Sequence, residues 1–129
     1  METPSMTLRT ASFLFALVLS TGALAAQPGN AVAGKKLYQA TQDSKGQAKP
    51  ACGSCHGANA NTPMAGMPKL ASQYPDYLQK ALKEYRSGKR KNPIMAAQAQ
   101  GLSDTDIANL SAYLASVKGD VHDLSGHAD

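Results

Sequence analysis

Cys52, Cys55 and His56 lie within five residues of one another, in the run Cys52-Gly53-Ser54-Cys55-His56. Two thiols and an imidazole at this spacing can serve a disulfide, a metal or a porphyrin. A disulfide across so short a loop adds little stability, because the closure entropy it removes falls with loop length. A structural zinc ion needs four ligands, and this run supplies three; His122 and His127 stand in the last eight residues of the chain. A thioredoxin-like redox pair calls for a strand–helix–strand context, which the surrounding pattern lacks. Covalent haem fits the spacing. Two thiols this far apart reach the two vinyl groups on one porphyrin edge, and the next side chain falls under the iron as proximal ligand. Gly53 and Ser54 are small enough to keep the loop against the macrocycle. The expectation is one haem c per chain, covalently bound.

The opposite face of the iron has five candidates: Met64, Met67, Met95, His122 and His127. Reach excludes neither Met64 nor Met67, since eight extended residues already span about 26 Å. By residue type alone a methionine is more often core filling than a ligand. Context favours Met95, which ends the run Lys91-Asn92-Pro93-Ile94-Met95. That run reads as a loop just before the last helix, far enough along the chain to return over the other haem face.

The elements that must position these groups read as helices, with no strand. Asn30 suits the N-cap of a first helix ending about Ala40, with Ala33, Leu37 and Tyr38 on one side. Residues 41–50 (TQDSKGQAKP) are a polar loop. Residues 52–70 are rich in Gly, Pro, Asn and Ala without a clear period, as expected of a segment wrapped irregularly around something. Pro75 suits the first turn of a further helix and Gly88 its end, with Tyr77, Leu78, Ala81, Leu82 and Tyr85 at helical spacing. Ser103-Asp104-Thr105-Asp106 has the form of a capping box with a shorter acid. Ile107, Leu110, Tyr113, Leu114 and Val117 then make one apolar face. Residues 119–129 show no period and are expected to form a mobile tail.

Composition and termini narrow the class. Arg9, the apolar run ASFLFALVL at 11–19 and the small-residue close at Ala23 and Ala25 have the form of an export signal. The apolar run is too short for a spanning helix, which needs about 20 residues. Cleavage after Ala25 is expected, so that residues 1–25 are a signal peptide, 26–118 the domain and 119–129 the tail. The remaining chain keeps a net charge of +4 and holds no tryptophan. Its large apolar side chains are few for a domain of about 100 residues, so a bound group is expected to fill part of the centre.

Several separate stretches resemble class I cytochromes c, most of all one half of the bacterial periplasmic diheme cytochromes c and their single-haem relatives. They are Ala33-Gly34-Lys35-Lys36-Leu37-Tyr38, Cys52 through Gly57, Met67-Pro68-Lys69-Leu70-Ala71-Ser72-Gln73, Gly88-Lys89-Arg90, and Leu102 through Leu114. The resemblance implies an all-α class I cytochrome c fold in which the first and last helices cross over one haem. It implies close approach of Gly34 to Tyr113, with Tyr38 and Leu110 beside them. It also implies that the Pro68 carbonyl holds the ring N–H of His56, that Leu70 packs on the haem, and that Met95 is the second axial ligand. There are departures. The 17 residues between Gly34 and Cys52 make a longer connection than usual, so residues 41–50 read as inserted. Ser72 replaces a common glycine, and with one C-x-x-C-H run in this sequence the diheme arrangement itself does not carry over.

An iron held by His56 and Met95 has no open position, which favours single-electron transfer over substrate chemistry, and no catalytic residue is assigned. Methionine ligation and burial both favour the ferrous form and a positive potential. Lys80, Lys83, Arg86, Lys89, Arg90 and Lys91 read either as a solvated face or as a docking ring for acidic redox partners. Membrane complexes are expected as donors or acceptors, in the periplasm. No nucleic-acid motif accompanies the charge. The alternatives are a haem subunit held by a dehydrogenase or reductase, and a haem enzyme such as a peroxidase or gas binder, which would need Met95 displaceable.

Overall fold

The structure, a computed structural model, describes residues 28–119. The expected signal peptide, His122 and His127 lie outside the described residues. Five helices follow one another: α1 (Ala31–Gln39), α2 (Gly53–His56), α3 (Pro75–Ser87), α4 (Pro93–Gln100) and α5 (Asp104–Ser116). No strand forms among the described residues; a lone antiparallel bridge joins Gln42 and Ala48.

Helix α1 begins where the sequence placed its cap. The Asn30 side-chain oxygen accepts from the N–H groups of Val32 and Ala33 at 2.9 and 3.0 Å, satisfying donors that the first turn leaves open. The Asn30 N–H in turn donates to Asn109 Oδ1 at 2.7 Å, so the cap also docks α1 on α5. These two helices form the principal packing of the fold. Gly34 makes the approach possible: a Cβ there would stand 1.9 Å from the Asn109 carbonyl oxygen and 2.8 Å from Tyr113 Cβ. One turn on, the rings of Tyr38 and Tyr113 meet at 5.5 Å, tilted by 55°, a geometry aromatic pairs favour.

Helix α5 carries the core. Its Ser103 side chain accepts from the Asp106 N–H at 3.1 Å while Asp106 Oδ2 accepts from the Ser103 N–H at 2.9 Å, a complete capping box. Ile107, Leu110, Tyr113 and Leu114 are buried, joined by Tyr38, Leu78 and Leu102. Five alanines make up the rest of the buried apolar set, so the centre is thin in large side chains. Helix α3 starts at Pro75 and stops at Gly88, whose φ of 75° lies in the left-handed region that glycine enters without penalty. Arg86 ties α3 to the entry of α5, donating to the Leu102 carbonyl at 2.8 Å and pairing with Asp104.

One expectation needs correction. The run over residues 91–95, expected as a loop, instead enters a helix at Pro93 that continues to Gln100: Asn92 Oδ1 accepts from the Met95 N–H at 3.0 Å, and Pro93 occupies the first turn. The Ala-rich stretch has no apolar period to announce it, and the Asn-Pro cap was the signal available. Gly119, the first residue of the expected tail, is the last described residue. The Gly119 N–H donates to Ser72 Oγ at 2.8 Å and the residue rests against Ala71.

Candidate haem-binding site

The cysteine–histidine run folds as one tight turn. The His56 and Cys55 N–H groups both donate to the Cys52 carbonyl, at 3.1 and 3.3 Å, making α2. Tyr38 grips it at both ends. Its carbonyl accepts from the Cys52 N–H at 3.1 Å, and its hydroxyl donates to the Gly57 carbonyl at 2.7 Å. Burial pushes the Tyr38 phenol well above its ordinary pKa, aided by the nearby Cys52 and Tyr113, so the hydroxyl stays a proton donor. The sequence placed Tyr38 beside Gly34 and Tyr113. Its hold on the cysteine run was missed, and no local pattern signals a bond between residues 19 apart.

No disulfide joins the two cysteines. Burial raises the pKa of Cys52, with the Lys49 charge opposing it, so the group is held as a neutral thiol. His56 is 6% exposed, and its Nδ1 lies 2.9 Å from the Pro68 carbonyl oxygen. A carbonyl only accepts, so Nδ1 carries the proton and the Nε2 lone pair is left for a metal. Pro68 is set by the folded segment after α2. There the Leu70 and Ala71 N–H groups both donate to the Ala60 carbonyl, at 2.8 and 3.0 Å, and the Met64 N–H donates to the Cys55 carbonyl at 2.9 Å. Leu70 is half-buried against the core.

Met95 is half-buried in the first turn of α4. The other described methionines belong to the segment after α2: Met64 is 60% exposed and Met67 is half-buried. The residues fit haem c by their chemistry. Two thiols, a buried imidazole with its tautomer fixed, and a thioether on another element are the donors such a group needs. Ile94, next to Met95, and Met64, bonded to the Cys55 backbone, are large apolar side chains, each 60% exposed.

The basic cluster divides. Lys80, Lys89 and Lys91 are exposed, Lys89 pairing with Glu84 at 3.8 Å, and Lys83 is half-buried. Arg86 is engaged with Leu102 and Asp104, and Arg90 lies over the Tyr77 and Tyr85 rings at 5.9 and 5.1 Å. The two arginines therefore serve the fold, and the expected ring of six cations reduces to its lysines.

Comparison with known proteins gives a consistent neighbourhood. The family described as Cytochrome c matches residues 31–118. Cytochrome c4 of Pseudomonas aeruginosa is 47% identical over 74 residues, which cover 57% of this chain and 37% of that one. The thiosulfate dehydrogenase electron acceptor of Stutzerimonas stutzeri is 42% identical over 100 residues, covering 77% and 43%. Among solved structures, reduced cytochrome c4 from Pseudomonas stutzeri superposes with a TM-score of 0.61 at 34% identity, covering 71% of this chain and 53% of that one. The chain spans less than half the length of these two curated relatives.

Proposed function

The chain belongs to the cytochrome c family, and from that premise we propose that it is a periplasmic single-haem electron carrier with His56 and Met95 as axial ligands. The family binds haem c covalently, and the single C-x-x-C-H run makes it one haem per chain. When bound, that haem supplies one-electron chemistry between ferrous and ferric iron, with no substrate bond made or broken. Cys52 and Cys55 would hold it by adding their S–H groups across the two vinyls. The observation that carries the reading is the bond from His56 Nδ1 to the Pro68 carbonyl, 2.9 Å. It orients the imidazole and strengthens Nε2 as a donor, the role outer hydrogen bonds play at ligating histidines. Met95 as partner would leave no open position and favour the reduced state. Leu70 would pack on the ring.

Exposed lysines such as Lys80 and Lys91 would steer an acidic redox partner. Export to the periplasm rests on the leader pattern in residues 9–25; no helix among the described residues is long and apolar enough to cross a membrane. Similarity to the thiosulfate dehydrogenase electron acceptor favours a second reading, in which the donor is a dehydrogenase that holds this chain as a subunit. Size-exclusion chromatography of the native protein separates a free carrier from a retained subunit.

Optical spectra of the purified protein, oxidised and reduced, test the ligand set. Low-spin spectra indifferent to carbon monoxide are expected, with Met95→Ala converting the protein to one that binds it. A parent protein that binds carbon monoxide readily would show an open iron and turn the reading towards an enzyme or sensor.

A further inference from the structure

Helix α4, which carries Met95, is lightly held. Ala99 is its one fully buried residue, against six on α5, and α3 is the one helix that packs extensively on it. A further support comes from residues 41–50, the segment that lengthens the path from α1 to Cys52. This segment is a small closed ring. The Lys49 N–H donates to the Thr41 carbonyl at 2.8 Å and the Asp43 N–H to the Gln47 carbonyl at 2.9 Å. Asp43 Oδ1 accepts from the Lys45 and Gln47 N–H groups at 2.9 and 2.8 Å, and Lys49 Nζ donates to the Ala40 carbonyl at 3.1 Å.

The tip of the ring rests on the residue that ends α4. Ser44 Oγ donates to the Gly101 carbonyl at 2.9 Å. The Asp43 side chain fills the space beside the Gly101 Cα so closely that a Cβ there would lie 2.1 Å from Oδ2 and 2.8 Å from the Asp43 Cβ. Gly101 has φ −82°, open to any residue, so glycine is needed for proximity and not for a turn. A cavity of about 150 Å³ opens between the rest of the segment and α4, lined by Lys45, Lys49 and Gln98 among others. The grip is thus concentrated at Gly101.

We propose that residues 41–50 latch α4 through Asp43 and Ser44 on Gly101, and so set how readily Met95 yields to an external ligand. The inference rests on Met95 being the sixth ligand. An eight-residue helix is about 12 Å long and moves as a unit, so fixing its last turn restrains the first turn, where Met95 sits. Asp43 and Ser44 are positioning residues, acting through α4.

The test measures imidazole binding to the ferric holoprotein together with amide hydrogen exchange over residues 95–100. Asp43→Ala with Ser44→Ala should accelerate both roughly twofold to tenfold, the scale of one lost hydrogen bond. Gly101→Ala, which wedges Asp43 away at a compatible φ, should do the same, and Ser44→Thr, which keeps the hydroxyl, should restore the parent rates. In a Met95→Ala background the latch variants should leave imidazole binding unchanged. Unaltered binding and exchange in the latch variants overturn the proposal. So does equal acceleration in the Met95→Ala background, which would mean that the segment gates access and not the ligand. A Met95→Ala protein that binds imidazole no faster than the parent overturns the ligand assignment and the proposal together.

Discussion

The two sides of the candidate site are built to different standards of rigidity. On the histidine side, His56 is 6% exposed, its ring is bonded to Pro68, and the turn bearing it is bracketed by Tyr38 at Cys52 and at Gly57. On the methionine side, Met95 is half-buried on a short helix with one buried residue, restrained at its far end by an exposed loop. The histidine side is held by several hydrogen bonds converging on one turn, and the methionine side by fewer contacts, at the far end of its helix. In the proposed electron carrier this division would suit the two roles, with His56 as the permanent ligand and Met95 as the more readily displaced one.

The sharpest way to break this contrast is to remove the thiols. Cys52→Ala with Cys55→Ala should abolish covalent haem, read as loss of the added mass on the denatured chain, whereas Met95→Ala should leave that mass in place. Covalent haem retained in the double variant would refute the attachment chemistry. A smaller effect is expected at the helix crossing that supports the histidine side. Gly34→Ala must separate α1 from the α5 backbone and should cost about 3 kcal/mol of stability, measured by denaturant unfolding of the holoprotein. Tyr38→Phe keeps the ring pair with Tyr113 but strips the Gly57 carbonyl of its donor, at about 1–2 kcal/mol. A loss confined to the methionine side in that variant would erase the distinction drawn here.

The smallest effect is electrostatic. The Arg86 hydrogen bond and charge hold the Asp104 carboxyl below its ordinary pKa. A depressed folded-state pKa stabilises the fold above the unfolded carboxylate pKa of about 4, and the contribution fades as pH falls through the lower folded value. Asp104→Asn should flatten the acid limb of a stability–pH curve slightly, because the pair is solvent-exposed and weak. An unchanged limb would assign the tie between α3 and α5 to the Arg86–Leu102 bond alone.

The same contrast governs what could be read from the chain before its structure. The cysteine–histidine run, the Asn30 cap and the Ser103–Asp106 box are local, and each forms as its residues specify. Residues 93–100 escaped notice because PIMAAQAQ has no apolar stripe at helical spacing, leaving only the Asn92-Pro93 cap to mark a helix. Tyr38 on Gly57, and Ser44 on Gly101 across 57 positions, are matters of tertiary placement. Arg86 and Arg90 looked like surface charge because composition does not distinguish a solvated cation from one bonded to a carbonyl or laid over a ring. The Pro68 bond to His56 was legible only through family likeness, since a carbonyl has no sequence signature.

Ser72, where the family likeness would lead one to expect glycine, adopts φ 63°. Its hydroxyl donates to the Val117 carbonyl at 3.0 Å and accepts from the Gly119 amide at 2.8 Å. The exit of the polypeptide from the domain is thereby moored to the doorway of α3. Whatever is appended after that point, a reporter or a neighbouring module, sets out from a fixed berth beside Ala71. Exchanging Ser72 for glycine would ease the backbone but cast the line loose.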